Sequence, residues 1–268
     1  MRLTAGVAAG LLLALTACGG GDGEPSARQD PPDDPPSAPQ GALVLDFDSG
    51  PGPGQSVDAV TNQGSNPVDV VVSTSGSAQV ESVEGPDGGQ AVRFPAYPGD
   101  AATPAVALVA TADDPMVLSP LERDFEFGAT FQLDPESSGS EADDGDNLVQ
   151  RGSFTDPGQF KIQLDDGVPS CRIAGDGGEV FVEADEAVEP GAWYSVSCAR
   201  AGSEVSLTLT PYDDPDAAET WRATGPSGTL SFDAQPLSVG AKVSPEGVPV
   251  ASADQFNGAV DDVFLRIG

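Results

Sequence analysis

No histidine occurs anywhere in the 268 residues. That excludes His-based acid/base catalysis, Ser-His-Asp triads and His-ligated zinc. Basic residues are scarce: 11 Lys and Arg stand against 43 Asp and Glu, a net charge of -32. Nucleic acid and anionic lipid headgroups are repelled by such a surface, whereas cations, basic proteins and neutral glycans are not. Aromatic residues make up only 6%, and there are three cysteines. Past the amino-terminal leader, no stretch shows a sustained helical period, which excludes the βαβ units of solute-binding folds. What is abundant is Gly, at 33, and Pro, at 25, with 38% hydrophobic residues. That mixture suits many short strands joined by turns around one core.

Arg2 precedes an apolar run over residues 3–16 that is too short to span a bilayer comfortably. Leu15-Thr16-Ala17-Cys18 follows, and then three glycines. The segment resembles a bacterial lipobox. Residues 1–17 are therefore expected to be a lipoprotein signal peptide, with Cys18 lipidated after cleavage. Two or more acyl chains hold a protein stably at a membrane. Residues 18–41, rich in Pro, Gly and Asp, lack a large apolar side chain and read as a disordered tether. About 225 residues remain for one folded domain, 42–268.

The informative stretch is 159–210. Its apolar residues alternate: Phe160, Ile162, Leu164, then Val205, Leu207, Leu209. A period of two places each set on one sheet face. Five strands separated by Gly, Asp and Pro turns suggest an antiparallel meander. Cys171 shares parity with Ile173, and Cys198 with Val196, so both sulfurs are expected on the apolar side. An exported chain with no other cysteine in its folded part is expected to pair them.

Outside that stretch, residues 125–133 alternate without a break. Further strands are expected at 42–47, 68–74, 79–83, 90–94, 106–111, 148–152, 221–224, 229–232, 237–241 and 259–267. Residues 49–64 read as a loop, and Ser119-Pro120-Leu121-Glu122 as the opening of a single helical turn. Residues 134–146, with six carboxylates, read as an acidic loop lacking EF-hand spacing. The fold class is all-β.

Asn147-Leu-Val-Gln-Arg-Gly, Phe160-Lys-Ile-Gln-Leu, Gly191-Ala-Trp-Tyr, Pro236-Leu-Ser-Val-Gly and Phe256-Asn-Gly-Ala-Val-Asp-Asp-Val recur in order. Together they resemble the laminin-G-like domain of the concanavalin A-like lectin/glucanase superfamily. The resemblance implies a jelly-roll sandwich of two antiparallel sheets with first and last strands adjacent. It also implies binding of glycans or proteins at a cell surface, and often one structural calcium ion. Asp46, Asp48 and Asp261, with Asp262 beside them, are the candidate ligands if the terminal strands pair; otherwise these carboxylates cap turns. Parity with Val263 suggests that Asp261 points inward. Related glucanases carry three spaced acids on one strand. Here Glu183 and Asp185 lack a third, since 187 and 188 are Ala and Val, so no hydrolase is expected. Trp221, Tyr212 and Tyr97 lie near loops and are candidate sugar contacts.

These readings converge on an outward-facing lipoprotein, anchored to the bacterial cell membrane. Its domain is expected to bind an extracellular glycan or protein without catalysis. The alternatives are a structural component of the envelope and, less favoured, a glycan hydrolase.

Overall fold

A computed structural model describes residues 41–97, 104–137, 145–232 and 235–268. The signal peptide, Cys18 and the tether up to residue 40 lie outside the described residues, as does 138–144 of the acidic loop.

In chain order the strands are β1 (Leu43–Leu45), β2 (Ser56–Val57), β3 (Ala59–Thr61), β4 (Asp69–Thr74), β5 (Val80–Glu84), β6 (Gln90–Arg93) and β7 (Val106–Thr111). Then come β8 (Phe125–Leu133), β9 (Asp146–Arg151), β10 (Gln159–Asp165), β11 (Val168–Gly175) and β12 (Gly178–Glu183). The last are β13 (Trp193–Ala201), β14 (Glu204–Pro211), β15 (Glu219–Thr224), β16 (Leu237–Val239) and β17 (Gly258–Ile267). They form two antiparallel sheets. The first runs β15-β14-β13-β8-β17-β6-β5-β2, with β1 beside β17; the second runs β12-β11-β10-β9-β16-β7-β4-β3. The terminal strands are therefore adjacent, with Leu43 opposite Leu265 and Leu45 opposite Val263.

The core lies between the layers. Phe127 and Phe131 from the first sheet, and Phe160, Ile162 and Leu164 from the second, are fully buried. Phe127 and Phe160 meet across the layers, with ring centroids 4.7 Å apart. Cys171 lies opposite Ile162 and Cys198 opposite Phe127. A disulfide joins the two, Cα to Cα 6.1 Å, and staples one sheet to the other.

Four local expectations change. The stretch 159–210 is not one meander: β10, β11 and β12 belong to the second sheet, β13 and β14 to the first. Alternation reports which face a residue takes, not which sheet its strand joins. The loop at 49–64 contains β2 and β3, too short to show a period. Residues 229–232 form no strand; Leu230 makes a single bridge to Leu121. The helical turn sits earlier, a 3₁₀ turn over Pro115–Leu118. Asp114 caps it by accepting the Met116 N–H at 2.9 Å. It stops at Ser119 because the following Pro120 holds Ser119 extended.

Candidate functional site

Strand alternation also determines what the outer face of the second sheet presents. Paired positions run across five strands in one row: Phe181 opposite Arg172, Arg172 opposite Lys161, Lys161 opposite Gln150, and Gln150 opposite Ser238. Opposed residues in an antiparallel pair share a face. Phe160 and Ile162 point to the core, so Lys161 between them points away from it. A second row places Gln163 opposite both Ser170 and Asn147.

This outer face is sunken rather than exposed. Arg172 is 8% exposed, Gln150 5%, Ser238 2% and Asn147 1%. Two walls cover it. At one side, residues 152–158 link β9 to β10. Gly152 has φ +77°, and a Cβ there would lie 2.1 Å from the Gly158 carbonyl, so only glycine fits. Its carbonyl accepts from Gln150 Nε2 at 2.7 Å and Gln159 Nε2 at 3.1 Å. Asp156 accepts the Ser153 N–H at 2.7 Å, which shapes the turn. The turn lifts Phe154, 76% exposed, over the Arg172 guanidinium at 4.7 Å. At the other side, residues 241–255 fold back over β7. Ala105, Ala107, Val109, Ala241 and Ala253 make a small apolar cluster beneath them. This wall brings Lys242 and Asp254, which form an ion pair, and Asp254 accepts from Asn147 Nδ2 at 3.1 Å.

Several buried polar atoms on this face have no protein partner: Asn147 Oδ1, Gln150 Oε1 and Arg172 Nε. The remaining Arg172 nitrogens are engaged, Nη1 with Gln159 and Nη2 with Glu179 at 2.6 Å. An unmet buried donor or acceptor costs about 1–3 kcal/mol. Lys161 donates to Gln163. Its pKa is lowered, first by burial and then by Lys242 and Arg172, against the opposing pull of Asp254 and Asp165.

A second feature forms where the terminal strands pair. A bulge in β17 between Asp261 and Phe264 breaks its parity. Asp261 is consequently not aligned with Val263 and the core. It lies opposite Thr130, on the outer side of the first sheet, and is buried against the turn at 85–89. A Cβ on Gly85 would lie 2.9 Å from Asp261 Oδ2, and one on Gly89 2.3 Å from Asp48 Oδ1. Burial, then Asp262, Asp87 and Asp48, push the Asp261 carboxyl up to about 7. Asp262 is raised by burial and by Asp87, Asp46 and Asp48. The candidate ligands Asp46, Asp48 and Asp261 therefore share one rim with Asp262 and with Asp87, which the sequence reading missed. Asp87 sits in a Gly-Pro-Asp-Gly-Gly turn whose glycines were its only signal. Phe47 and Asp262 both adopt positive φ here, 58° and 47°, conformations that cost about 1–3 kcal/mol in such residues.

Carboxylate oxygens in surplus suit a hard cation such as calcium. Their spacing does not close on one ion: among the described residues no three acidic, His or Cys side chains converge to ligand geometry. Asp46, Asp48 and Asp87 are each occupied in part as acceptors, from Gln63, from the Gln90 N–H at 2.8 Å and from the Gly89 N–H at 2.7 Å.

The aromatic candidates divide. Tyr212 lies beside the aspartate rim, its phenol raised by desolvation and by Asp87, Asp262 and Asp261. Trp221 packs against the core edge and donates from Nε1 to Asp185 at 3.0 Å. Tyr97 is half-buried at the end of a described segment. Glu183 ends β12 in solvent. The exposed aromatics at the Arg172 end of the polar row, Phe154 and Phe181, were missed: one lies in a turn, and the other occupies the outer parity of an edge strand.

Two other hollows offer less. One of about 540 Å³ on the outer face of the first sheet is lined by Thr130, Ser195, Ser197, Thr208 and Thr210. Its Thr130 and Ser195 hydroxyls bond each other at 3.0 Å, and Thr208 bonds Thr220 at 3.0 Å. The other, about 1370 Å³, lies by the last residues of the chain. Arg200 on its wall is engaged by the carbonyls of Leu121, Arg123 and Gly228.

No protein-family model matches the chain, and no curated protein is detectably similar in sequence. Solved structures do match in shape. The binding domain of Paraclostridial Mosquitocidal Protein 1 superposes with a TM-score of 0.53 at 13% identity, covering 84% of this chain and 48% of that one. Domain 4 of AbnA, an extracellular arabinanase from Geobacillus stearothermophilus crystallised with arabinotriose, gives 0.51 at 10% identity, covering 86% and 94%. The LG1-3 region of the laminin alpha2 chain gives 0.42 at 19% identity, covering 54% and 28%. The chain thus spans about half the length of the first of these. The fold is the concanavalin A-like jelly-roll sandwich that the sequence resemblance implied.

Proposed function

We propose that the outer face of the second sheet is a non-catalytic binding site for an extracellular glycan. The observation that carries this is the sunken face with its unpartnered polar atoms, Asn147 Oδ1, Gln150 Oε1 and Arg172 Nε, and the exposed rings of Phe154 and Phe181 at its Arg172 end. Sugar hydroxyls both donate and accept, so they satisfy amide oxygens and a guanidinium N–H together. Exposed rings supply the flat apolar surface on which a pyranose stacks. Arabinotriose in the similarly folded AbnA domain supports a carbohydrate over a protein ligand. Glu183 stands opposite Ser170 at the edge of this face, but it and Asp185 lack a third spaced acid, since 187 and 188 are Ala and Val, which supports binding without hydrolysis.

The remaining parts of the reading belong to the same proposal. The lipobox-like segment ending at Cys18 makes the chain an exported lipoprotein on the bacterial cell membrane, facing outward. The structural calcium ion that the resemblance implies would need Asp46, Asp48 and Asp261 to draw together on the aspartate rim, since among the described residues they do not converge on one ion.

A glycan array probed with the detergent-solubilised full chain tests the site. Binding is expected, and Phe154→Ala and Gln150→Ala should each weaken it about tenfold or more. Thr208→Ala on the opposite sheet should not. An array without hits, together with a stoichiometric protein partner on purification, would replace this reading with an envelope-assembly role.

A further inference from the structure

We infer that the ligand of this face carries an anionic group, a carboxylate or sulfate on the glycan, seated at Lys161 between Arg172 and Lys242. The inference rests on the glycan reading above and narrows it. The chain has only two lysines, Lys161 and Lys242, within a total of 11 cations against 43 acids. Both act on one another across this face, together with Arg172. A chain so rich in carboxylates can neutralise any lysine by placing an acid beside it. Arg172 has Glu179, and Lys242 has Asp254. Lys161, half-buried and central in the row, has no ion pair among the described residues; its ammonium bonds only the neutral Gln163. Asp254 and Asp165 offset part of the repulsion from Lys242 and Arg172, but neither is bonded to the partly buried ammonium, and an oxyanion seated on it completes the group.

Geometry adds direction. Arg172 is opposite Lys161 in the strand register, and its free Nε is buried on the same face. An ammonium and a guanidinium N–H side by side make a pair of charge-assisted donors for one oxyanion. Gln150 flanks Lys161 on the other side and meets neutral hydroxyls. Phe181 and Phe154, at the Arg172 end, receive the ring of the charged sugar. The strongly negative remainder of the molecule selects against dense polyanions, so the fitting ligand bears isolated charges set among neutral groups.

Isothermal titration of the detergent-solubilised full chain with 3′-sialyllactose, which bears a single carboxylate, 3′-sulfolactose, which bears a single sulfate, and neutral arabinotriose tests this. At least one anionic probe should bind about tenfold or more tightly than arabinotriose. Tighter binding of 3′-sialyllactose assigns the group as carboxylate, and of 3′-sulfolactose as sulfate. Lys161→Met keeps the stem and removes the charge; it should abolish the preference, and Lys161→Arg should restore most of it. Equal or tighter binding of arabinotriose by the wild type overturns the inference, as does a preference that survives Lys161→Met, or no binding of any probe. The underlying reading fails separately, if Gln150→Ala and Phe154→Ala leave every measured affinity unchanged.

Discussion

A single carboxyl shows how the rim of acids shapes stability. Asp261 has an ordinary value of 3.8 and sits at about 7 in the folded chain. Between those values the folded state holds a proton that the unfolded state has released. Its contribution is therefore fully present below about pH 4 and is lost as pH rises through about 7. Asp262, Asp87 and Asp48 face the group and keep the shift upward. The metal-free protein is expected to melt at a higher temperature at pH 5.5 than at pH 8. Asp261→Asn should flatten most of that slope and melt above wild type at pH 8; Asp262, also raised, leaves a remainder. Calcium favours the ionised form, so millimolar calcium at pH 8 should raise the wild-type melting temperature, with little effect on Asp261→Asn. Calorimetric scans at two pH values, with and without EDTA, read both effects. A melting temperature indifferent to calcium would remove the ion from the rim. None of this was visible from parity alone, because the bulge that turns Asp261 outward inserts its offset without a sequence mark.

Strands carry information of uneven quality. Where one face is buried and the other solvated, alternation gives the strand and its orientation together, as in β10 and in β8, whose bounds match the sequence expectation. The pairing of Cys171 with Cys198 follows from the same logic, since inward parity in both strands leaves the sulfurs facing across the core. Closing 27 residues of sequence separation stabilises by about 3–4 kcal/mol in the chain-entropy model. Cys171→Ala with Cys198→Ala should lower the melting temperature by roughly 10 °C, and reduction of the wild type should do the same. An unchanged melt would mean that the packed layers need no staple. What alternation cannot give is sheet membership, so the crossing from β12 to β13 was missed. Nor does it reveal depth. Lys161 has the polar parity of its strand, opposite to Phe160 and Ile162, and only the walls at 152–158 and 241–255 make its face a groove. Those walls are built from turns, whose sequences say that the chain reverses but not what it then covers.

At the scale of the molecule, charge and attachment act together. A domain of this acidity keeps clear of anionic lipid headgroups, so the proposed membrane attachment requires hydrophobic insertion and not surface adsorption. One acyl chain gives marginal binding, while a diacylated cysteine gives a stable anchor. Cys18 is the residue proposed for that, and the polar stretch after it has no large apolar side chain with which to dock on the bilayer. In the native host, a labelled fatty acid should enter the wild type, which should sediment with membranes. Cys18→Ala should take up no label and appear in the soluble or secreted fraction, with the melting temperature of its folded domain unchanged. Adding salt distinguishes this anchor from an electrostatic one: acyl insertion survives 1 M sodium chloride, whereas attachment through screened charges does not. A wild-type protein released by salt, or a Cys18→Ala variant retained on membranes, would place the attachment elsewhere and detach the groove from the cell surface it is proposed to serve.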